Sequence, residues 1–181
     1  FILWLGWFGF NGGSELIVSN VAEANAVSKI FVNTNLAAAG GVMGALLVSK
    51  ILFGKSDLTM ALNGAIAGLV SITAEPLAPT PGLATIIGAV GGLLVVFSII
   101  ALDRMKLDDP VGAISAHGTA GIWGLLAVVF TTGTLSAQLY GIVVIFLWTF
   151  VVSSLFWYAI HLTWGVRVSY DDEEVGVDVS E

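Results

Sequence analysis

The sequence predicts an all-α integral membrane protein, a polytopic bundle of transmembrane helices. Composition is the first reason: 57% of the 181 residues are hydrophobic and only 10% are charged, against about 25% charged in an ordinary soluble domain. Six basic and 13 acidic side chains cannot give a soluble domain of this size its polar skin. The mean hydropathy of +0.97 agrees. Finally, the apolar residues come in runs long enough to cross a bilayer and lack the period-two alternation of barrel strands.

The elements follow in chain order. Residues 1–10 are apolar but too short to cross alone, so they read as the last turns of a helix that begins elsewhere. The run has no Met, basic region or cleavage site to mark a signal peptide. Asn11-Gly12-Gly13-Ser14 ends it. Residues 25–53 form the first full span, and Gly54-Lys55-Ser56-Asp57 separates it from a short one at 58–73. The loop from Glu75 to Pro81 holds three of the four prolines and is rigid. Residues 82–102 span again. A charged loop at 103–109 leads into a helix over 111–130, with the Asp109 carboxylate as cap and Pro110 at the first helical position. A last span covers 138–163. Residues 1–164 are thus expected to form a transmembrane bundle, and 165–181 an acidic tail.

Basic residues set the expected orientation. Lys50, Lys55, Arg104, Lys106 and Arg167 lie at alternate loops and the tail, and only Lys29 lies on the other side. That places the tail in the cytoplasm, with the Ser14 loop and the Pro-rich loop outside a plasma or bacterial inner membrane. The 22 glycines gather in small-residue faces such as Gly64-Ala65-Ile66-Ala67-Gly68 and Gly88-Ala89-Val90-Gly91-Gly92. Such faces let helix backbones approach closely where lipid supplies no hydrophobic drive.

Several functions are excluded. Nucleic-acid binding has no basic patch to rest on. The absence of Cys removes thiolate metal sites and thiol nucleophiles, and two distant histidines make a poor metal site. Neither an HExxH pair, a phosphate loop nor a GxSxG elbow is present. The chain is expected to be no enzyme and to need no metal or cofactor.

An ionisable side chain within a span is costly and therefore a functional candidate. His117 is the clear case. It sits seven residues beyond Pro110, about 10 Å into the span, among Ser115, Gly118, Thr119 and Gly121. Two roles stand open: a hydrogen bond between helices, or a pore or proton-relay histidine. His161, near the end of its span beside Trp164 and Arg167, reads as interfacial. Trp7 and Phe10 are either an interfacial belt or an entrance whose ring faces attract a cation. Ser14 offers a hydroxyl there or serves the turn. Asn33, Asn35 and Asn63 are expected to hydrogen-bond between helices.

Four stretches together resemble the ammonium transporter (Amt/Mep/Rh) family. They are Trp7-Phe8-Gly9-Phe10-Asn11-Gly12-Gly13-Ser14, residues 63–73, Asp108-Asp109-Pro110 with its helix through His117 to Gly124, and Gly165-Val166-Arg167-Val168. The resemblance covers the whole chain in order. It implies the second half of an inverted-repeat transporter fold, working as a homotrimer in the lipid bilayer together with a first half outside this sequence. It further implies that Phe10 is one of two phenylalanines closing the pore, and that Ser14 and Trp7 belong to an outer ammonium recruitment site. His117 would be the second of two pore histidines, and a PII-type signalling protein a possible partner of the tail. Where the family often carries another acid after Asp-Asp-Pro, this chain has Gly112. A sensor or Rh-like gas channel of the same fold, and a non-transporting fragment, are the alternatives.

Overall fold

The structure, a computed structural model, describes residues 1–180, and every described regular element is helical. In chain order these are α1 (Ile2–Gly13), α2 (Val21–Phe53), α3 (Leu58–Thr73) and α4 (Pro81–Arg104). A π-helical turn at Ile114–Thr119 then runs into α5 (Ala120–Ala127) and a 3-10 turn at Val128–Phe130. The long α6 (Leu135–Thr163) and two short tail helices, α7 (Tyr170–Val175) and α8 (Val177–Ser180), complete the chain. The chain divides into two compact units, Phe1–Leu139 and Tyr140–Glu181. Among the described residues, α2, α4 and α6 are long and apolar enough to cross a membrane, while α3 and the helix Ile114–Phe130 are shorter apolar helices.

Local chemistry sets the helix ends. The Asn20 side chain accepts the Glu23 amide at 3.1 Å, and Glu23 accepts both the amide and the hydroxyl of Ser19, a reciprocal cap on α2. Those bonds hold the Glu23 carboxyl below the usual carboxylate range. Gly54 closes α2 at φ 72°, the left-handed conformation that a glycine adopts without strain. Asp57 caps α3 through the Met60 amide at 2.9 Å. Thr80 caps α4, with Pro81 at its first position.

The core of the first unit is built by backbones in contact. A Cβ on Gly88 of α4 or Gly68 of α3 would overlap the same atom, the Ala37 carbonyl oxygen of α2. Likewise a Cβ on Gly41 would strike the Gly64 carbonyl, and one on Gly92 the Gly41 carbonyl. So α2 lies against both α3 and α4 with no side chains between, as the small-residue faces predict. Around this seam Leu69, Ile72, Val95 and Val96 are fully buried. Ala116, Ala120 and Ala127 bury the helix of His117 against the same core.

Asn33 and Asn63 depart from expectation. Asn33 donates to the carbonyls of Pro76 and Pro79, both at 2.9 Å, and so ties the Pro-rich loop rather than a helix. Asn63 donates to Thr59 within its own helix. In both cases the acceptor is a backbone carbonyl, of the loop or of the same helix.

The second unit carries apolar residues on every side of α6, none of them buried. In the tail, Ser169 caps α7 through the Asp172 amide at 3.2 Å, and Arg167 forks onto the Glu173 carboxylate. That bond holds the Glu173 carboxyl below its usual range.

Candidate functional site

The segment before His117 differs from the sequence expectation. Pro110 is not the first helical position, because Gly112 follows it at φ +69°, a left-handed conformation that no helix contains. The helix begins at Ile114 instead, so His117 lies one turn into it and not two. Asp109 still acts as cap, over a longer reach. Its two carboxylate oxygens accept the amides of Ile114 and Ser115 at 2.9 and 3.0 Å. A Cβ at Gly112 would overlap the Asn63 side-chain oxygen, so that carboxamide occupies the space a larger residue would need.

The turn that carries His117 is a π-helix, one residue wider than an α-turn. Such turns occur mostly as single insertions, frequently at functional sites. It is fixed upstream by Asp109 and downstream by a 2.8 Å hydroxyl pair between Thr119 and Ser98 of α4. Ser115 and Ala116 face the core and are buried, whereas His117 is exposed on the first unit's surface.

Burial pushes the Asp109 carboxyl up, but the amides of Ile114 and Ser115 outweigh it and hold the group below the usual carboxylate range. A depressed folded value means the stabilisation is fully present above the unfolded value and is lost as pH falls through the folded one. Asp109→Ala is therefore expected to lower stability by about 1 kcal/mol at neutral pH, the size of a helix cap. Its deficit against the unaltered protein should shrink as the pH falls below about 4. Thermal unfolding of both proteins in detergent, followed by circular dichroism across that range, checks this; a deficit independent of pH would count against the cap.

Three of the four residues singled out by sequence come together. The Trp7 ring lies 5.5 Å from that of Phe10, tilted by 43°, and 6.2 Å from the His117 imidazole, within 25° of parallel. Trp7 is half-buried while Phe10 and His117 are open. Ser14 joins them only through backbone: its hydroxyl donates to the Phe10 carbonyl at 2.8 Å, one turn back along α1. The set forms one exposed, largely apolar strip in which Trp7 is the shared member.

Sequence reasoning missed Thr73. Its hydroxyl accepts the Trp7 indole N–H at 2.7 Å, and the sequence marked it only as the last residue of a span and of the 63–73 stretch. It also missed the partner of Trp123, which donates to the Ile87 carbonyl at 2.9 Å. Asn11 is buried behind the strip, with its amide nitrogen on the Thr34 hydroxyl at 3.0 Å.

The chain is similar to known proteins along its whole length. The family model described as Ammonium Transporter Family matches residues 1–181. Ammonium transporter Amt2 of Archaeoglobus fulgidus is 37% identical over 203 residues, covering 100% of this chain and 42% of that protein. Among solved structures, one named Sensor Amt Protein superposes with a TM-score of 0.90 at 33% identity, over 99% of this chain and 46% of that one. Candida albicans Mep2 superposes at 0.83 with 30% identity, over 94% and 42%. The chain thus spans less than half the length of these relatives.

Proposed function

Since the chain belongs to the ammonium transporter family, a family of multi-pass membrane proteins, we propose that it supplies one half of an ammonium-conducting pore. The observation that carries this reading is the strip of Phe10, Trp7 and His117: two aromatic rings and an imidazole in sequence along one open apolar face. In it Ser14 and Trp7 take part in recruiting the cation at the outer mouth, Phe10 closes the pore, and His117 stands inside. The other wall comes from a first half, consistent with the share of its relatives that this chain spans.

The chemistry is economical. Ammonium is strongly hydrated, and an apolar lumen excludes any cation by the cost of stripping its water. Aromatic faces and a hydroxyl hold it at the mouth, where those losses are partly offset. Giving up a proton leaves neutral ammonia, which crosses an apolar path readily, with the imidazole accepting a hydrogen bond or relaying the proton. Potassium has no proton to lose and is rejected. The complete protein works as a homotrimer with its acidic tail in the cytoplasm, where a PII-type protein can reach it.

A second reading, that the protein senses ammonium rather than conducting it, is favoured by the likeness to the structure named Sensor Amt Protein. One measurement separates the two. The complete protein in liposomes is expected to take up ammonium and methylammonium, with charge movement recorded on a supported membrane. Ammonium binding without uptake would overturn conduction in favour of sensing.

A further inference from the structure

We propose that Thr73 is a positioning residue for the pore, fixing the Trp7 indole against His117; this rests on reading His117 as the pore histidine. Thr73 is the last residue of α3. Its hydroxyl donates to the Leu69 carbonyl at 2.7 Å, the back-bond common for threonine in helices. That leaves the oxygen free to accept, and the Trp7 Nε1–H donates into it at 2.7 Å. The direction of this chain is forced. An indole N–H only donates and a carbonyl only accepts, so the hydroxyl between them must do both. Bonds aligned in one direction strengthen one another where the local dielectric is low.

The consequence reaches the functional strip. A tryptophan side chain turns about two torsions, and anchoring its nitrogen fixes the plane of the ring. That plane is what His117 meets within 25° of parallel at 6.2 Å, and what Phe10 meets at 5.5 Å. One hydroxyl on α3 thereby orients a ring on α1 that borders both a gate candidate and the imidazole on the π-turn. A tie that merely joined α1 to α3 would not need to act on His117.

The test uses the complete protein labelled with 5-fluorotryptophan, the Trp7 fluorine resonance being assigned by its loss in Trp7→Phe. Removing the neighbouring ring in His117→Ala is expected to move that resonance. Thr73→Val keeps the shape but leaves the indole N–H unpaired, and is expected to shift the resonance and lower ammonium flux about tenfold. Thr73→Ser keeps the hydroxyl and should restore both. In the Trp7→Phe background, Thr73→Val should cause no further loss, since its effect passes through Trp7. The proposal is overturned if Thr73→Val leaves the Trp7 resonance or the flux unchanged, if serine fails to rescue, or if the two losses multiply. Unaltered flux in His117→Ala would instead overturn the pore reading, while the fluorine comparison still judges the Thr73 anchor.

Discussion

The His117→Ala variant of the complete protein is expected to lose ammonium flux by about a hundredfold, the low end of what a positioned proton-accepting group contributes, while assembling as the unaltered protein does. The geometry explains why the loss should be selective. His117 is exposed on the first unit's surface, whereas its helix is held by the buried Ser115, Ala116 and Ala120 and by the Asp109 cap. Cutting the imidazole back to a methyl leaves those supports in place. Trp7 loses its stacked neighbour but keeps the Thr73 bond. The measurement is uptake of ammonium and methylammonium in liposomes together with charge movement, alongside the oligomer size in detergent. Unchanged uptake and unchanged charge movement would remove His117 from the mechanism. Loss of flux through loss of assembly would identify it as a tie between helices, the other role its sequence position allows.

A larger effect on stability is expected from Gly88→Val. The new Cβ would lie on the Ala37 carbonyl oxygen, a backbone atom already approached by Gly68 from the other side. A flexible side chain could turn away, but a carbonyl within α2 moves only if the helix does. Overpacking a core typically costs about 1–3 kcal/mol, and prying two helices apart belongs with the exceptional losses above about 4 kcal/mol. Little or no monodisperse protein is expected after purification in detergent. Gly82→Ala is the matched control: nothing lies within 4 Å of its Cβ position, so stability should hold or rise slightly. Equal behaviour of the two variants would refute the account of the seam.

Much of this architecture is legible in the sequence, for reasons that differ by element. The span at 58–73 coincides with α3 because an acidic cap at Asp57 and the turn after Thr73 both act locally. The faces of α2, α3 and α4 are legible because glycine at a four-residue spacing allows close approach wherever a neighbour lies. The start of the helix of His117 was not legible. Asp109-Pro110 looks like a helix entrance, and only the left-handed backbone at Gly112, beside the Asn63 carboxamide, shows that the chain turns once more first. Trp7, Phe10 and His117 stand out by type. That Trp7 is the ring they share, and that Thr73 bonds it, depends on contacts with residues 110 and 66 positions away, which no local pattern encodes.

The seam between α2 and α3 also bears on the lipid. At 1.5 Å per residue, the 33 residues of α2 measure about 50 Å and the 16 of α3 about 24 Å. A hydrocarbon layer is about 30 Å thick. A solitary helix would settle such a mismatch by changing its tilt, but these two are locked backbone to backbone and cannot tilt independently. Glu23, Ser28 and Lys29 give the longer helix a polar end, while the shorter one is packed mostly against its neighbours, with only Leu58, Thr59 and Leu62 exposed. The longer α2 therefore sets how this pair meets the bilayer, through a tilt that both helices must share.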